Sequence, residues 1–125
     1  MENTKSDNNT EKVCNYSYLI AMTGGNEHAI KEITDAFLAQ ISEELKSIND
    51  AISKSNYAII KSFTHNMKTT VTIMGITSLT PVLNEMESLG ASGKDIDRIA
   101  TLNKTLNIIC TKAYAEIERD KYSFI

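Results

Sequence analysis

The chain has 125 residues, of which 42% are hydrophobic and 23% charged, and its formal net charge is −3. A chain of this length and composition forms one globular domain with a real core, and its negative charge argues against nucleic-acid binding. One proline and five glycines are too few for the turns of a β-sandwich or barrel. No apolar run approaches the roughly 18 residues that span a bilayer, so no membrane insertion is predicted.

The start of the chain is polar, and residues 1–13 are predicted to form a disordered tail. Only Met1 is apolar within residues 1–12, so the segment also lacks the apolar core of a signal peptide. Cys14 and Cys110 lie far apart and form no CxxC motif, which predicts two free thiols in a reducing, cytoplasmic setting. The folded domain is predicted to cover residues 14–122.

Helical periodicity dominates this domain. A short first helix is predicted over residues 15–22, ended by Gly24 and Gly25. Asn26 caps a long second helix. The apolar residues of that helix recur every three or four positions, as an amphipathic helix requires: Ile30, Ile33, Phe37, Ile41, Leu45, Ile48 and Ile52.

The third and fourth helices are predicted over residues 57–74 and 78–89. Asn56 caps the third helix, and Pro81 fits the first turn of the fourth. The apolar stripe of the third helix consists of Ile60, Phe63, Met67, Val71 and Met74.

The fifth helix is predicted over residues 95–119. Gly90 and Gly93 are expected to punctuate the loop before it, and Ser92 and Asp95 have the spacing of a capping box. Short connections between long amphipathic helices favour antiparallel neighbours. The predicted fold is therefore all-α: an antiparallel, up-down four-helix bundle with an additional short N-terminal helix.

His65 does not fit the apolar stripe of the third helix. At about 100° per residue, it points roughly 160° away from Phe63 and Met67 and about 180° away from Met74. Lys61 at i−4 and Lys68 at i+3 are its neighbours on that face. Two lysines disfavour a protonated ring, favour the neutral ring that a nucleophile must be, and attract a dianion. The other histidine, His28, has ordinary helix-start surroundings and is assigned no role.

The stretch HNMKTTVTIMG, residues 65–75, resembles the signature of histidine-containing phosphotransfer (HPt) domains. His65, Lys68 and Gly75 match the histidine, the lysine three residues later and the glycine ten residues later. The resemblance extends over residues 16–115, through the GGNE segment at 24–27 and the hydrophobic-Glu pair at 86–87. Thr69 stands where the family often has Gly or Ser, and Thr64 where Ala is common.

This resemblance implies that His65 accepts a phosphoryl group on Nε2 from a receiver-domain aspartyl phosphate and passes it to another receiver. It implies that Lys68 stabilises the phosphoryl group. The implied partners are receiver domains of response regulators or a hybrid sensor histidine kinase. The protein itself is expected to be a monomer. No cofactor and no metal site are expected in the chain itself.

Supporting roles follow from position. Glu87 lies as far after the expected turn at Ile76 as His65 lies before it, so Glu87 is a candidate for orienting the ring; the alternative is a solvated helix charge. Thr72 is expected to meet phosphate or a partner, or else to hydrogen-bond its own helix backbone.

Three further residues complete the candidate site. Lys61 shares the face of His65, and Thr69 is expected to line a docking surface. Gly75 is expected to permit a tight turn or a close approach of backbones.

Two competing functions are a non-phosphorylated helical adaptor and an enzyme. The adaptor has the same fold, with His65 incidental. The enzyme is disfavoured, because the sequence has no ExxH for a di-metal bundle and no phosphate-binding glycine loop.

Overall fold

The structure is a computed structural model that describes residues 12–121. Its elements, in chain order, are α1 (Ser17–Thr23), α2 (Glu27–Ser53), α3 (Tyr57–Ile73), a 3₁₀ turn (Thr77–Leu79), α4 (Thr80–Ser92) and α5 (Ile96–Asp120). The described range holds no strand, so the prediction of an all-α fold is confirmed. None of these helices is long and apolar enough to cross a membrane. Residues 1–11 of the predicted tail, and residue 122 of the predicted domain, lie outside the described range.

Two predicted caps start the long helices. The side-chain oxygen of Asn26 accepts the Ala29 N–H at 2.9 Å, and that of Asn56 accepts the Ile59 N–H at 3.3 Å. Each bond satisfies an N–H group that has no partner within the helix. At the end of α1, Gly24 takes the left-handed conformation with φ 64°, as the glycine pair predicts.

The prediction that Gly90 punctuates a loop is wrong. α4 continues through Gly90 to Ser92, and Gly90 is buried. A Cβ on Gly90 would lie 3.0 Å from the backbone nitrogen of Lys61. The glycine therefore permits a close approach of the α3 and α4 backbones.

The predicted capping box before the last helix is also wrong. Ser92 is the last residue of α4, and Asp95 itself caps α5. The Asp95 carboxylate accepts the Arg98 N–H at 3.2 Å, so the helix starts at Ile96. The first helix starts at Ser17 rather than at residue 15. The side-chain oxygen of Asn15 accepts the Ser17 N–H, so Asn15 lies before the helix.

The core is built from the predicted apolar stripes. α3 packs against α2 and α4, and α5 packs against the same two helices. Burial of these stripes is the main driving force for folding. The side chains that are at most 2% exposed include Ile30, Ile41, Ile48, Ile60, Met67, Val71, Leu83, Met86, Ile99, Leu106 and Ile117. Phe63 and Leu45, also predicted for the stripes, are only partly buried.

The segment before α1 is tied to α5. The buried carboxylate of Glu116 accepts the backbone N–H groups of Val13 and Cys14 at 2.8 and 2.9 Å. Val13, placed at the end of the predicted tail, is thereby fixed to the folded domain. Cys14 and Cys110 are free and buried, and burial raises the pKa of each thiol to about 12. Neither is a reactive thiolate at neutral pH.

Gly75 sits where this segment crosses the end of α3. Its φ is 66°, and the N–H of the neighbouring Asn15 donates to the carbonyl of Met74 at 3.1 Å. A Cβ on Gly75 would overlap the carbonyl oxygen of Asn15. The glycine serves both the left-handed turn and the close approach of another backbone segment.

We expect Gly75→Ala to destabilise the protein more than the matched variant Gly93→Ala. Both changes place a Cβ on a left-handed residue, which costs about 1–2 kcal/mol. Gly93 has φ 64° with open space around its added Cβ, whereas Gly75→Ala must also displace the Asn15 segment. Urea denaturation of both variants measures the difference. Equal losses of stability would show that the crossing of Asn15 over Gly75 contributes nothing.

Candidate functional site

His65 lies in the middle of α3 with 65% of its side chain exposed. The buried residues of the same helix, among them Ile60, Met67 and Val71, face the core. His65 therefore points away from the core, as the helical wheel predicts. An exposed imidazole on a helix is open to the active site of another protein.

Glu87, on α4, lies against this imidazole. Its Oε2 is 2.8 Å from Nδ1 of His65. The hydrogen bond from Lys68, joined by the bond from His65, holds the pKa of Glu87 below its usual range. Glu87 is thus a carboxylate at neutral pH and can only accept hydrogen bonds. In the neutral ring Nδ1 must then carry the proton, which leaves the lone pair on Nε2.

Lys68 is bound to the same carboxylate. Its Nζ lies 2.6 Å from Oε1 of Glu87 and 3.2 Å from Oδ1 of Asn84. The resemblance assigns the Lys68 ammonium to the phosphoryl group. In the structure this ammonium instead binds Glu87, the same carboxylate that contacts His65. Asn84 was missed by sequence reasoning, although it lies three residues before Glu87, a spacing that places both on one helix face.

Lys61 lies beside His65 and, within residues 12–121, makes no contact like that of Lys68 with Glu87. The two residues line an open groove of about 590 Å³, together with Ala58, Ser62, Asn66 and Glu87. We call it the histidine groove. Lys61 is exposed, and no hydrogen bond or ion pair joins its ammonium to another residue of the range 12–121.

A second groove, of about 350 Å³, opens on the other side of Lys68. It is lined by Tyr18, Met22, Lys68, Thr69, Thr72 and Ile73, and we call it the α1 groove. Tyr18 and Met22 are 53% and 45% exposed. The sequence did not identify these two residues, because it does not show that α1 lies beside α3. The one feature of the sequence that could have pointed to them is the apolar character of α1.

The predicted Thr72 and Gly75 do not contact His65. The Thr72 hydroxyl donates to the Lys68 carbonyl at 2.7 Å, which is the backbone-bonding alternative considered for it. Gly75 contacts Asn15 at the end of α3. It shapes the fold rather than lining the histidine groove.

The second histidine stands apart from this site. The side chain of His28 is 81% exposed on α2, with a carboxylate oxygen of Glu32 3.4 Å from its Nε2. No lysine approaches it among the contacts of the described range. Across residues 12–121, no three or more His, Cys, Asp or Glu side chains are grouped to hold a metal ion.

Comparison of the chain with protein-family models, with curated proteins and with solved structures gives no match. Functional inference for this protein therefore rests on its own residues and their geometry. The geometry that carries most chemical meaning is the contact of Glu87 with His65, made across two helices.

Proposed function

We propose that this protein is a phosphocarrier of the histidine-containing phosphotransfer type, working in a multistep phosphorelay. His65 accepts a phosphoryl group from a receiver-domain aspartyl phosphate and passes it to another receiver aspartate. The observation that carries this proposal is the exposed imidazole with its Nδ1 held 2.8 Å from a carboxylate oxygen. This pairing makes Nε2 the nucleophilic nitrogen.

The architecture we propose is an antiparallel, up-down bundle of α2, α3, α4 and α5, with α1 as the additional short helix. The pairwise packing of α3 and α5 on both α2 and α4 supports this arrangement. On such a bundle the nucleophile sits on a convex helix face. A receiver whose aspartate lies in a recess can then approach it without a pocket on this protein.

The proposed transfer is a substitution at phosphorus. The Nε2 lone pair attacks the phosphorus atom, the P–O bond to the receiver's aspartyl group breaks, and its electron pair leaves with the carboxylate. The ring keeps the Nδ1 proton and gains a positive charge as the P–N bond forms. The Glu87 carboxylate, 2.8 Å from Nδ1, stabilises that charge. The reverse sequence delivers the group to a second receiver.

In this proposal the protein is a carrier and not an enzyme. Phosphoryl transfer depends mainly on alignment and charge neutralisation, and the acidic cluster and magnesium ion that a receiver uses belong to the partner. The proposed partners are receiver domains of response regulators or a hybrid sensor kinase. We place this exchange in the cytoplasm, with the protein acting as a monomer.

The direct test is incubation with receiver domains phosphorylated with labelled phosphate. We expect label to move to this chain in an acid-labile, base-stable form, as an N-phosphohistidine requires. It should then move on to a second, unphosphorylated receiver. A panel of receivers that bind the protein but give no transfer would contradict the proposal.

That outcome would favour the alternative, a helical adaptor that binds a signalling partner without phosphorylation. The exposed apolar side chains of α1 support this alternative, since Tyr18, Ile20 and Met22 are 53%, 44% and 45% exposed. Such side chains are common where helices dock on partners. The adaptor hypothesis predicts that binding survives every substitution of His65.

We expect Glu87→Ala to slow phosphorylation of His65 by about tenfold, the low end of the losses seen when the hydrogen-bond partner of a metal-bound histidine is removed. Without the carboxylate, Nδ1 no longer has a fixed acceptor, and the proton is shared between the two ring nitrogens. Nitrogen-15 NMR of the imidazole should show this change of tautomer directly. Glu85→Ala is the matched control, because Glu85 lies on α4 and pairs with Arg98 at 2.6 Å. An unchanged tautomer in Glu87→Ala would contradict the orienting role.

A further inference from the structure

The two lysines that flank His65 have different surroundings. Lys68 is bound to Glu87 at 2.6 Å and to Asn84 at 3.2 Å. Lys61 makes no such contact within the described residues and shares the histidine groove with His65. Lys68 opens onto the α1 groove instead. Among the described residues that line the groove of the imidazole, Lys61 is thus the cation without an ion pair.

Helix geometry brings the ring of His65 over the turn of Lys61. Side chains on an α-helix lean toward its N-terminus, so the side chain at position i lies over the turn that contains i−4. The ring of His65 therefore leans toward the turn of Lys61. By the same rule Lys68 leans toward His65, but its ammonium is held on Glu87 and Asn84. With Nδ1 occupied by Glu87, a group bonded to Nε2 has the ammonium of Lys61 within the same groove.

Charge balance points the same way. To reach a phosphoryl group on His65, Lys68 would have to leave the Glu87 carboxylate. The dianionic phosphoryl group and the carboxylate would then face each other across one ring, and the carboxylate would have lost the ammonium of Lys68. Lys61 has no ion pair to break within residues 12–121, so its approach leaves the contact of Lys68 with Glu87 intact.

We propose that Lys61, rather than Lys68, is the cation that contacts the phosphoryl oxygens on Nε2 of His65, while Lys68 positions Glu87. The proposal rests on the phosphocarrier function and assigns the site's two lysines to different tasks. It reverses the expectation from family resemblance, which gives Lys68 the phosphoryl role. Ser62 and Asn66, which line the same groove, supply the neutral hydrogen-bonding groups around the phosphoryl oxygens.

The test uses a chemical phosphoryl donor and needs no receiver. With phosphoramidate, Nε2 attacks phosphorus, the P–N bond of the donor breaks and ammonia leaves. Phosphorus-31 NMR then follows the titration of the phosphoryl group in the wild type and in Lys61→Ala, Lys61→Arg, Lys68→Ala and Lys104→Ala. Lys104 is an exposed lysine of α5, so its removal controls for net charge.

A cation beside the phosphoryl group favours the dianion and lowers the pKa of that group. We therefore expect Lys61→Ala to raise the phosphoryl pKa, and Lys61→Arg to restore the wild-type titration. Lys104→Ala should leave the titration close to that of the wild type. Lys68→Ala should raise the phosphoryl pKa less than Lys61→Ala does, because it acts only through the Glu87 carboxylate that loses its ammonium. If Lys68→Ala gives the larger rise, or if Lys61→Ala matches Lys104→Ala, the assignment of Lys61 is overturned.

The rate of transfer from a phosphorylated receiver is a second test of the role of Lys61. In the docked complex water is excluded and a charge-assisted contact is stronger than in solvent. We expect Lys61→Ala to slow transfer by about tenfold, with rescue by Lys61→Arg. If no receiver phosphorylates the wild type, the phosphocarrier function is overturned. The assignment of Lys61 is tested separately, because the phosphorus-31 titration identifies the cation next to Nε2 without a receiver.

Discussion

His65→Gln is expected to abolish phosphorylation and leave the fold intact. The imidazole is exposed, and substitutions at exposed helix positions usually change stability by less than about 0.5 kcal/mol. Glutamine has no nitrogen lone pair that can attack phosphorus, so the loss of acid-labile label should be complete. Phosphate uptake from a labelled receiver measures the loss, and circular dichroism with thermal unfolding measures the fold.

His28→Gln is the matched control for this experiment. His28 is the other histidine of the chain, also exposed on a helix, and it lies on α2 with Glu32 as its neighbour. We expect this variant to accept phosphate at the wild-type rate. Label retained in His65→Gln, or lost in His28→Gln, would show that His65 is not the acceptor.

The second large effect is expected at the surface next to His65, from Thr69→Tyr and Thr72→Arg. Both threonines are exposed and line the α1 groove with Tyr18 and Met22. A receiver's recessed aspartyl phosphate meets Nε2 only if neighbouring side chains let the two surfaces come close. A displacement of about 1 Å costs on the order of a hundredfold in rate, so either variant should block transfer.

Arginine at position 72 is the stricter probe, because its positive charge should help a phosphoryl group. A loss of transfer in Thr72→Arg is then assigned to shape rather than to charge. Thr101→Arg is its matched control, since the Thr101 hydroxyl donates to the Asp97 carbonyl as that of Thr72 does to the Lys68 carbonyl. Thr105→Tyr, on the exposed face of α5, controls for Thr69→Tyr. Normal transfer in both test variants would place the docking surface elsewhere and strengthen the adaptor hypothesis.

The helices themselves could be predicted from local physics. The three-and-four spacing of apolar residues predicts which side of each helix is buried, and Asn26 and Asn56 accept the first N–H groups of α2 and α3 as their side chains predict. Gly90 shows the limit of this reasoning. In the sequence, a glycine that ends a helix looks the same as a glycine that allows a neighbouring backbone to come close. Gly90 is of the second kind, because the Lys61 backbone packs against it.

The candidate site divides in the same way. The outward direction of His65 follows from the geometry of one helix, and the meeting of His65 with Glu87 follows from a hairpin whose arms are equally long. The partners of Lys68 do not follow. Its contacts with the Glu87 carboxylate and with Asn84 depend on how closely α3 and α4 pack, which no spacing along the chain encodes.

The sequence by itself determined the all-α fold, the positions of the helix starts at Asn26 and Asn56, and the exposure of His65. These depend on residues within one or two turns of each other, where the geometry of the helix is fixed. Only the tertiary structure decided that Lys68 binds Glu87, that Lys61 has no ion pair within residues 12–121, and that Tyr18 and Met22 border the site. The contact of Lys68 with Glu87 and the placement of Tyr18 and Met22 join residues from different helices, and their distances are set by how the buried stripes and glycines let the helices pack.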